Sequence, residues 1–224
     1  MAALTVRIDD DPPRRAALSI ARRLERCVGR RGRATLALSG GSTAPPMIAD
    51  LVERHPAVDW SRVEAWQVDE RVAPDGHPDR NANALDGFPA RVHLMPVTAA
   101  DLDAAAAEYA AGLPGRFDVV HLGLGPDGHT ASWPPDDPIV GLPPDRLVGL
   151  SRPYQGRVRM SLLPAPVNAA RGRVVLTVGG DRADALAAWV ERRPFAGDLP
   201  IGRVRRGNTI VVIDAAAAAR LETW

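Results

Sequence analysis

The chain has 224 residues, yet it contains no lysine and only one cysteine. All 28 basic residues are therefore arginine, so catalysis through a lysine Schiff base is excluded. Any bound phosphate must be held by arginine, backbone amides or hydroxyls. The single cysteine, Cys27, excludes an internal disulfide and is typical of a reducing compartment.

Long apolar runs, a signal peptide and an excess of one charge are also missing. No run approaches the roughly 20 apolar residues of a membrane span, and residues 1–10 lack the basic start of a secretory signal. We therefore expect a cytoplasmic protein with no membrane partner. The 28 basic and 27 acidic residues give a net charge of +1, which disfavours nucleic acid as a partner. The composition leaves the oligomeric state open.

Strand-like and helix-like segments alternate along the chain. Strands are predicted over 4–8, 35–38, 63–68, 119–122, 174–178 and 209–213, with weaker candidates at 147–150 and 158–162. Helices are predicted over 12–28, 45–54, 101–111 and 181–191. This alternation predicts an α/β fold in which a doubly wound, mostly parallel sheet carries helices on both faces, as in Rossmann-like proteins. We expect one domain over residues 1–224, since no linker divides the chain.

The segment 123–132 contains the clearest candidate for an active site. It reads Gly-Leu-Gly-Pro-Asp-Gly-His-Thr-Ala-Ser and follows a buried strand directly, and open α/β sheets bind ligands at the carboxyl ends of their strands. Asp127 and His129 lie two residues apart, and a carboxylate can orient a neighbouring imidazole and strengthen it as a base. The alternative is a surface or core histidine without chemistry, which the glycines, Asp127 and the strand end disfavour.

A second strand end carries Gly40, Gly41, Ser42 and Thr43 before a predicted helix. The free amides of a helix start suit a phosphate, and two hydroxyls add donors. The alternative is an ordinary helix N-cap, where Ser and Thr are favoured in any case. The segment is neither a P-loop nor a Gly-x-Gly-x-x-Gly turn.

Charged residues at three further positions are candidates for substrate contacts. Asp69 and Arg71 follow the strand at 63–68, where a carboxylate could act on a proton and an arginine could bind an anion; a surface ion pair is the alternative. Arg159 lies in an alternating segment, so its side chain shares a face with that of Arg157. Together the two could bind an anion; a solvated face is the alternative. Arg182 stands in a first helical turn, which disfavours a cation and favours an anionic partner, either a ligand or Asp181.

The remaining histidines lack comparable neighbours; they are His55, His77, His93 and His121. His121 lies inside a predicted strand and is expected to face the packed interior. No histidine pair has zinc-ligand spacing supported by cysteine or glutamate, so no metal site is predicted.

These motifs, in this order, resemble those of the 6-phosphogluconolactonase family. They are Ser39–Thr43, Val68–Arg71, the 123–132 segment, Arg159-Met160-Ser161-Leu162 and 179–182, and the resemblance runs from about Leu4 to Ala219. It implies a single α/β domain, related to that of glucosamine-6-phosphate deaminase, that needs no cofactor. It also implies that His129 is the base. Gly41, Ser42, Thr43 and Arg71 would surround the phosphorylated substrate, with Arg159 in the same pocket.

Three positions depart from the family pattern. Arg182 stands where the family commonly has lysine, so a planar fork replaces a point charge. Trp133-Pro134-Pro135 replaces the usual Leu-Phe-Pro-Gly, and the segment 80–83 only partly matches a Ser-Asn-Tyr element.

The resemblance predicts hydrolysis of 6-phospho-D-glucono-1,5-lactone to 6-phospho-D-gluconate in the oxidative pentose phosphate pathway. In this interpretation His129 activates water, Asp127 orients the imidazole, and Asp69 helps to place water or a sugar hydroxyl. Two alternatives remain. One is an amino-sugar phosphate deaminase, which would carry Phe-Asn-Glu-Pro after the histidine and a tyrosine at position 71. The other is a sugar-phosphate sensor that has lost catalysis.

Overall fold

A computed structural model describes residues 3–194 and 196–222. The strands are β1 (Thr5–Ile8), β2 (Ala34–Leu38), β3 (Val63–Gln67), β4 (Asp69–Arg71), β5 (Arg91–His93), β6 (Val119–Gly123), β7 (Val148–Leu150), β8 (Arg159–Leu162), β9 (Arg173–Thr177) and β10 (Thr209–Ile213). Among them, seven strands form a sheet in the order β1-β10-β9-β6-β2-β3-β5. Every adjacent pair is parallel, which confirms the predicted parallel sheet.

The α-helices are α1 (Pro12–Arg31), α2 (Ala44–Glu53), α3 (Leu102–Gly112), α4 (Pro164–Ala169) and α5 (Ala183–Glu191). The helix predicted over 12–28 runs three residues further, and Gly32 ends it in a left-handed conformation with φ +71°. A 3₁₀ turn over Gly180–Arg182 precedes α5 and replaces the first turn of the predicted helix. Asp214 caps the terminal turn by accepting from the amide of Ala217 at 2.8 Å.

Side chains of the central strands alternate between two hydrophobic clusters, one on each face of the sheet. In β2, Leu36 joins the cluster of α1 and α2, whereas Ala37 joins the cluster of α3 and α5. In β9, Val174 and Val175 divide in the same way. Successive side chains of a strand point to opposite faces, and here both faces are covered by helices. Apolar residues are therefore needed at every position, so the sequences of these strands are continuous apolar runs. The predicted helices on both faces are confirmed.

The chain crosses from one half of the large sheet to the other between β2 and β6. From β2 it proceeds outward through β3 to β5, and it then returns to β6 before proceeding outward again through β9 to β10. Loops that leave adjacent strands in opposite directions open a crevice at their carboxyl ends. The two segments that follow β2 and β6, 39–43 and 124–130, flank this crevice.

A second, antiparallel sheet has the order β4-β8-β7. It begins where β3 leaves the large sheet: Gln67 is the last residue of β3, and Asp69 is the first of β4. Asp69-Glu70-Arg71 is therefore a strand in its own right rather than the loop end of the preceding strand. The weak strand candidates at 147–150 and 158–162 are confirmed as β7 and β8.

Within the residues that the structure describes, no helix combines the length and the apolar character that crossing a bilayer demands.

Candidate active site

A cavity of about 320 Å³ opens in the crevice between β2 and β6. Its walls come from the loop after β2, the turn after β6, the antiparallel sheet and the turn before α5. It includes nine of the ten residues predicted for the site, which are Gly40, Gly41, Ser42, Thr43, Asp69, Arg71, His129, Arg159 and Arg182. The tenth, Asp127, lies directly behind His129. The polar lining is completed by Ser39, Asn81, Thr130, Gln155 and Thr177.

His129 and Asp127 form a hydrogen-bonded pair. The Nδ1 atom of His129 lies 2.5 Å from Oδ1 of Asp127. The same oxygen accepts from the backbone amide of His129 at 3.2 Å. An ionised carboxylate on this side favours the tautomer that carries its proton on Nδ1. Among the described residues, Nε2 of His129 has no hydrogen-bond partner, so it is available to accept a proton from a ligand or a water molecule.

A tight turn folds the imidazole back over the chain. The amide of Gly125 donates to the carbonyl of His129 at 2.8 Å, and the amide of Gly128 donates to the carbonyl of Gly125 at 3.0 Å. Gly128 has a φ of +81°, which an L-residue adopts only with strain. The glycines therefore serve a geometric need of this turn.

Tyr154 is a further partner of Asp127, and no sequence pattern pointed to this role. Its hydroxyl donates to Oδ2 of Asp127 at 2.6 Å. Burial raises the pKa of Asp127, but the hydrogen bonds from Tyr154 and His129 outweigh burial and hold that pKa below its ordinary value. The carboxylate is thus ionised at neutral pH and can orient the imidazole.

Asp69 lies at the bottom of the cavity and is only 5% exposed. Its Oδ1 accepts from the hydroxyl of Ser39 at 2.7 Å. Its Oδ2 accepts from the hydroxyl of Ser132 at 2.8 Å and the side-chain amide of Asn81 at 3.2 Å. These donors come from three separate segments, so the carboxylate holds the loop after β2, the turn after β6 and the 80–83 segment together.

Arg71 and Arg159 are direct cross-strand neighbours. Arg71 on β4 is paired in register with Arg159 on β8, and Asp69 is paired with Ser161. Side chains directly opposite one another in an antiparallel ladder share a face, and two like charges there repel. Alternation along β4 places Asp69 and Arg71 on that same face. The small sheet therefore presents two cations toward the cavity.

The guanidinium of Arg159 is buried and incompletely paired. Arg159 is 3% exposed; one terminal nitrogen donates to Oε1 of Gln155 at 2.9 Å, and Nε has no partner. Burial lowers the pKa of Arg159, and the neighbouring Arg71 lowers it further. An anion in the cavity would satisfy the unpaired donor and relieve the repulsion. Arg157, by contrast, pairs with Asp79 at 3.0 Å and does not line the cavity.

Arg182 lies at the rim and is engaged by its neighbour. One terminal nitrogen contacts both carboxylate oxygens of Asp181, at 2.6 and 2.7 Å. Both partners are partly exposed, so this ion pair is weak and can exchange for a ligand. Of the two partners that the sequence left open for Arg182, the structure shows Asp181.

The loop after β2 has unused donors. Thr43 occupies the N-cap position of α2, but its side chain makes no capping hydrogen bond. No hydrogen bond to the hydroxyl of Ser42 or Thr43 occurs within the described part of the chain, and Gly41 has a φ of +94°. The hydroxyls therefore do not serve as helix caps, which favours the phosphate interpretation of this segment over the alternative.

Asn81 approaches this loop so closely that position 40 has no room for a side chain. A Cβ at Gly40 would lie 2.0 Å from Oδ1 of Asn81. Asn81 also accepts from Arg71 at 3.1 Å. Glu70, fully buried, fixes the segment by accepting from the amides of Asn81 and Ala82 at 2.7 and 2.9 Å. Sequence reasoning did not place Asn81 in the site. The pattern that could have found it is the partial match of segment 80–83 to the Ser-Asn-Tyr element of the family.

Trp133, a departure from the family pattern, lies away from the cavity. It is fully buried and donates from its indole nitrogen to the carbonyl of Leu162 at 2.8 Å. Among the described residues, no group of three or more His, Cys, Asp or Glu side chains is placed to hold a metal ion.

The fold and the site together define an α/β protein of the doubly wound class, with a histidine–aspartate pair at an arginine-lined cavity. A sequence model of the glucosamine-6-phosphate isomerases/6-phosphogluconolactonase family matches residues 9–213. The chain belongs to this family, which confirms the resemblance found in its motifs.

Relatives named 6-phosphogluconolactonase match most of the chain. That of Streptomyces coelicolor is 34% identical over 217 residues, covering 85% of this chain and 83% of the relative. That of Mycobacterium tuberculosis is 32% identical over 219 residues, covering 87% of each.

The fold is shared more widely than the sequence. A 6-phosphogluconolactonase from Shewanella baltica superposes with a TM-score of 0.81 at 23% identity, covering 96% of this chain and 98% of that one. A monomeric glucosamine-6-phosphate deaminase also superposes with a TM-score of 0.81, at 16% identity and with 98% and 100% coverage. The fold alone therefore does not separate the two activities.

Proposed function

We propose that this chain hydrolyses 6-phospho-D-glucono-1,5-lactone to 6-phospho-D-gluconate, with His129 as the general base. The observation that carries the proposal is the 2.5 Å contact between Nδ1 of His129 and Asp127, which leaves Nε2 free at a cavity lined by three arginines. The named relatives above 30% identity support the same substrate.

The chemistry needs one base and no covalent intermediate. Nε2 of His129 takes a proton from water as the water oxygen bonds to the lactone carbonyl carbon, and the carbonyl oxygen becomes an oxyanion. The tetrahedral intermediate then collapses, the bond to the ring oxygen breaks, and the imidazolium returns its proton to that oxygen. Such general base assistance contributes ~10²–10⁴-fold. Asp127 stabilises the imidazolium that forms between the two steps.

The phosphate end of the substrate is assigned to the loop after β2 and to the arginines. The amides at the start of α2 and the unused hydroxyls of Ser42 and Thr43 suit a phosphate dianion. Arg71 and Arg159 add two positive charges on one face, and Arg182 can exchange Asp181 for the ligand. Asp69 is assigned a positioning role, since donors from three segments already occupy its oxygens.

The segment after His129 separates this function from the deaminase alternative. A deaminase of this fold is expected to carry Phe-Asn-Glu-Pro after its histidine, whereas the segment Ala131-Ser132-Trp133-Pro134 contains no glutamate. Ser132 is used to hold Asp69. A sensor without catalysis would not need a base whose free nitrogen faces the cavity.

The test is acid release from freshly generated lactone, measured by pH-stat or by coupling to 6-phosphogluconate dehydrogenase. We expect a rate far above spontaneous hydrolysis, and no ammonia release from glucosamine 6-phosphate. A rate equal to the spontaneous one, with retained affinity for 6-phosphogluconate, would identify a sensor. Ammonia release would identify a deaminase.

A further inference from the structure

Tyr154 lies on a tight hairpin whose geometry fixes the direction of its side chain. Tyr154 and Arg157 pair through their backbones, with the amide of Tyr154 donating at 2.9 Å and that of Arg157 at 3.2 Å. The two residues between them, Gln155 and Gly156, have φ values of +50° and +79°, as a two-residue hairpin turn requires. The turn therefore holds Tyr154 over the site from the side of the small sheet.

The hydroxyl of Tyr154 shares the carboxylate of Asp127 with the proposed base. Tyr154 donates to Oδ2 at 2.6 Å, while Oδ1 faces Nδ1 of His129 at 2.5 Å. Each oxygen of the carboxylate thus has its own strong partner. Burial and the hydrogen bond to Asp127 raise the pKa of Tyr154 to about 12, so the hydroxyl remains a donor at neutral pH.

The same tyrosine also contacts the anion-binding side of the cavity. Gln155 donates from Nε2 to the hydroxyl of Tyr154 at 3.3 Å and accepts from Arg159 at 2.9 Å. The guanidinium of Arg159 lies 4.8 Å from the centre of the Tyr154 ring, within the range of a cation–π contact. Continuous contacts therefore lead from Arg159 through Tyr154 and Asp127 to His129.

From these contacts we infer that Tyr154 is a positioning residue that holds Asp127 in the orientation His129 needs, and that it couples this orientation to Arg159. The inference rests on the proposed function of His129 as base. Asp127 is part of a glycine-rich turn, and its side chain is 34% exposed. Without a second partner, its carboxylate can rotate away and leave the imidazole free to change its tautomer.

The other tyrosine shows what a purely structural role looks like. The hydroxyl of Tyr109 is buried and contacts only backbone groups, donating to or accepting from Gln67 and His93 at 2.9–3.1 Å. It joins a strand to a helix and touches no titratable group of the site. The hydroxyl of Tyr154 instead donates to the carboxylate that orients the base, and it also lies 3.2 Å from Nδ1 of His129 itself.

The kinetic test is Tyr154→Phe, which keeps the ring and its contact with Arg159 and removes only the hydroxyl. We expect kcat to fall about tenfold or more, the scale typical when a hydrogen bond that orients a histidine is lost, with KM nearly unchanged. In an Asp127→Asn background, the same change should have no further effect, since both variants break one linkage. Arg152→Ala, an exposed change on the same hairpin, should match the wild type. Equal losses in both backgrounds, or a change in KM alone, would overturn the inference.

A spectroscopic measurement separates this inference from the proposed function. ¹⁵N NMR of protein labelled at histidine reports the tautomer of His129 without any substrate. We expect the Nδ1–H form to dominate in the wild type and to lose population in Tyr154→Phe, but not in Arg152→Ala. An unchanged tautomer in Tyr154→Phe would refute the positioning role even in an active lactonase. If the wild type did not hydrolyse the lactone but Tyr154→Phe still changed the tautomer of His129, the proposed function would be refuted and the positioning role would stand.

Discussion

The imidazole of His129 lies directly against the backbone of Gly125. A Cβ atom at Gly125 would be 2.1 Å from both Cε1 and Nδ1 of the ring, and 2.9 Å from Nε2. No real Cβ tolerates such contacts, so the ring would have to move. A displacement of about 1 Å at a reacting group can cost ~10²-fold in rate. We therefore expect Gly125→Ala to lower kcat by about that factor, measured by lactone hydrolysis.

Gly115→Ala is the matched control for this change. A Cβ at Gly115 meets no atom within 4 Å, and the residue lies away from the cavity. The control should retain wild-type activity. A Gly125→Ala enzyme of normal kcat would mean that the position of the ring seen here is not the catalytic one.

His129→Ala should fold normally and lose catalysis. Because His129 supplies the only unpaired imidazole nitrogen placed at the described cavity, kcat should fall by at least ~10²-fold, while the melting temperature stays near that of the wild type. His55→Ala, at the other end of α2, serves as the control and should keep full activity. Near-normal turnover in His129→Ala would show that another group is the base. Asp69 would be the candidate, and Asp69→Asn would then abolish the rate.

Arg71 and Arg159 are predicted to recognise the phosphate. Loss of one charge-assisted hydrogen bond costs ~1.5–3 kcal/mol, or roughly 10–150-fold in affinity. Calorimetry should show that Arg71→Ala and Arg159→Ala each weaken 6-phosphogluconate binding by about that factor and gluconate binding far less. Arg152→Ala should change neither. Equal weakening of both ligands would show that these arginines shape the cavity without holding the phosphate.

The contact between Arg182 and Asp181 makes a separate prediction about the rim. If Arg182 exchanges Asp181 for the ligand, Asp181→Asn should tighten 6-phosphogluconate binding, by no more than ~5-fold since exposed ion pairs contribute ~0–1 kcal/mol. Arg182→Ala should weaken binding, and Arg182→Lys should be milder because the charge is kept. If neither Asp181→Asn nor Arg182→Ala changed the affinity for 6-phosphogluconate, Arg182 would pair with Asp181 only and would not contact the ligand.

Local patterns predicted six of the seven strands of the large sheet and missed its three-residue edge strand β5. Each central strand is an apolar run followed by glycine or polar residues, and these runs were found to within one or two residues. The small sheet was harder, because β4 has only three residues and its sequence is polar. Its pairing partner β8 lies about 90 residues away, so no local pattern could join Asp69-Glu70-Arg71 to Arg159. The assignment of residues 1–224 to one domain remains a prediction.

The site divides in the same way between local and distant signals. Asp127 and His129 are two residues apart, so their pairing could be predicted from spacing. Tyr154 reaches Asp127 from 27 positions away, across a hairpin whose turn residues carry no chemical signature. Asn81 similarly reaches Asp69 from a separate loop. Contacts made by tertiary packing therefore account for the residues that were missed.

His121 makes the stability of the fold sensitive to acid. It lies fully buried in β6, and neither ring nitrogen has a hydrogen-bond partner. Burial lowers its pKa to about 4, and the backbone of Ser39 opposes that shift only in part. The unfolded chain takes up this proton near pH 6.5. Between about pH 6.5 and pH 4 the unfolded state therefore binds more protons, so the free energy of unfolding falls as the pH falls, by ~3 kcal/mol at most.

His121→Leu removes this titration and two unpaired polar atoms, so it should be as stable as the wild type or more stable at pH 7.5. Urea unfolding from pH 7.5 to pH 4 should then give a flatter pH dependence for His121→Leu than for the wild type. Parallel curves for the two proteins would show that His121 does not contribute to acid sensitivity.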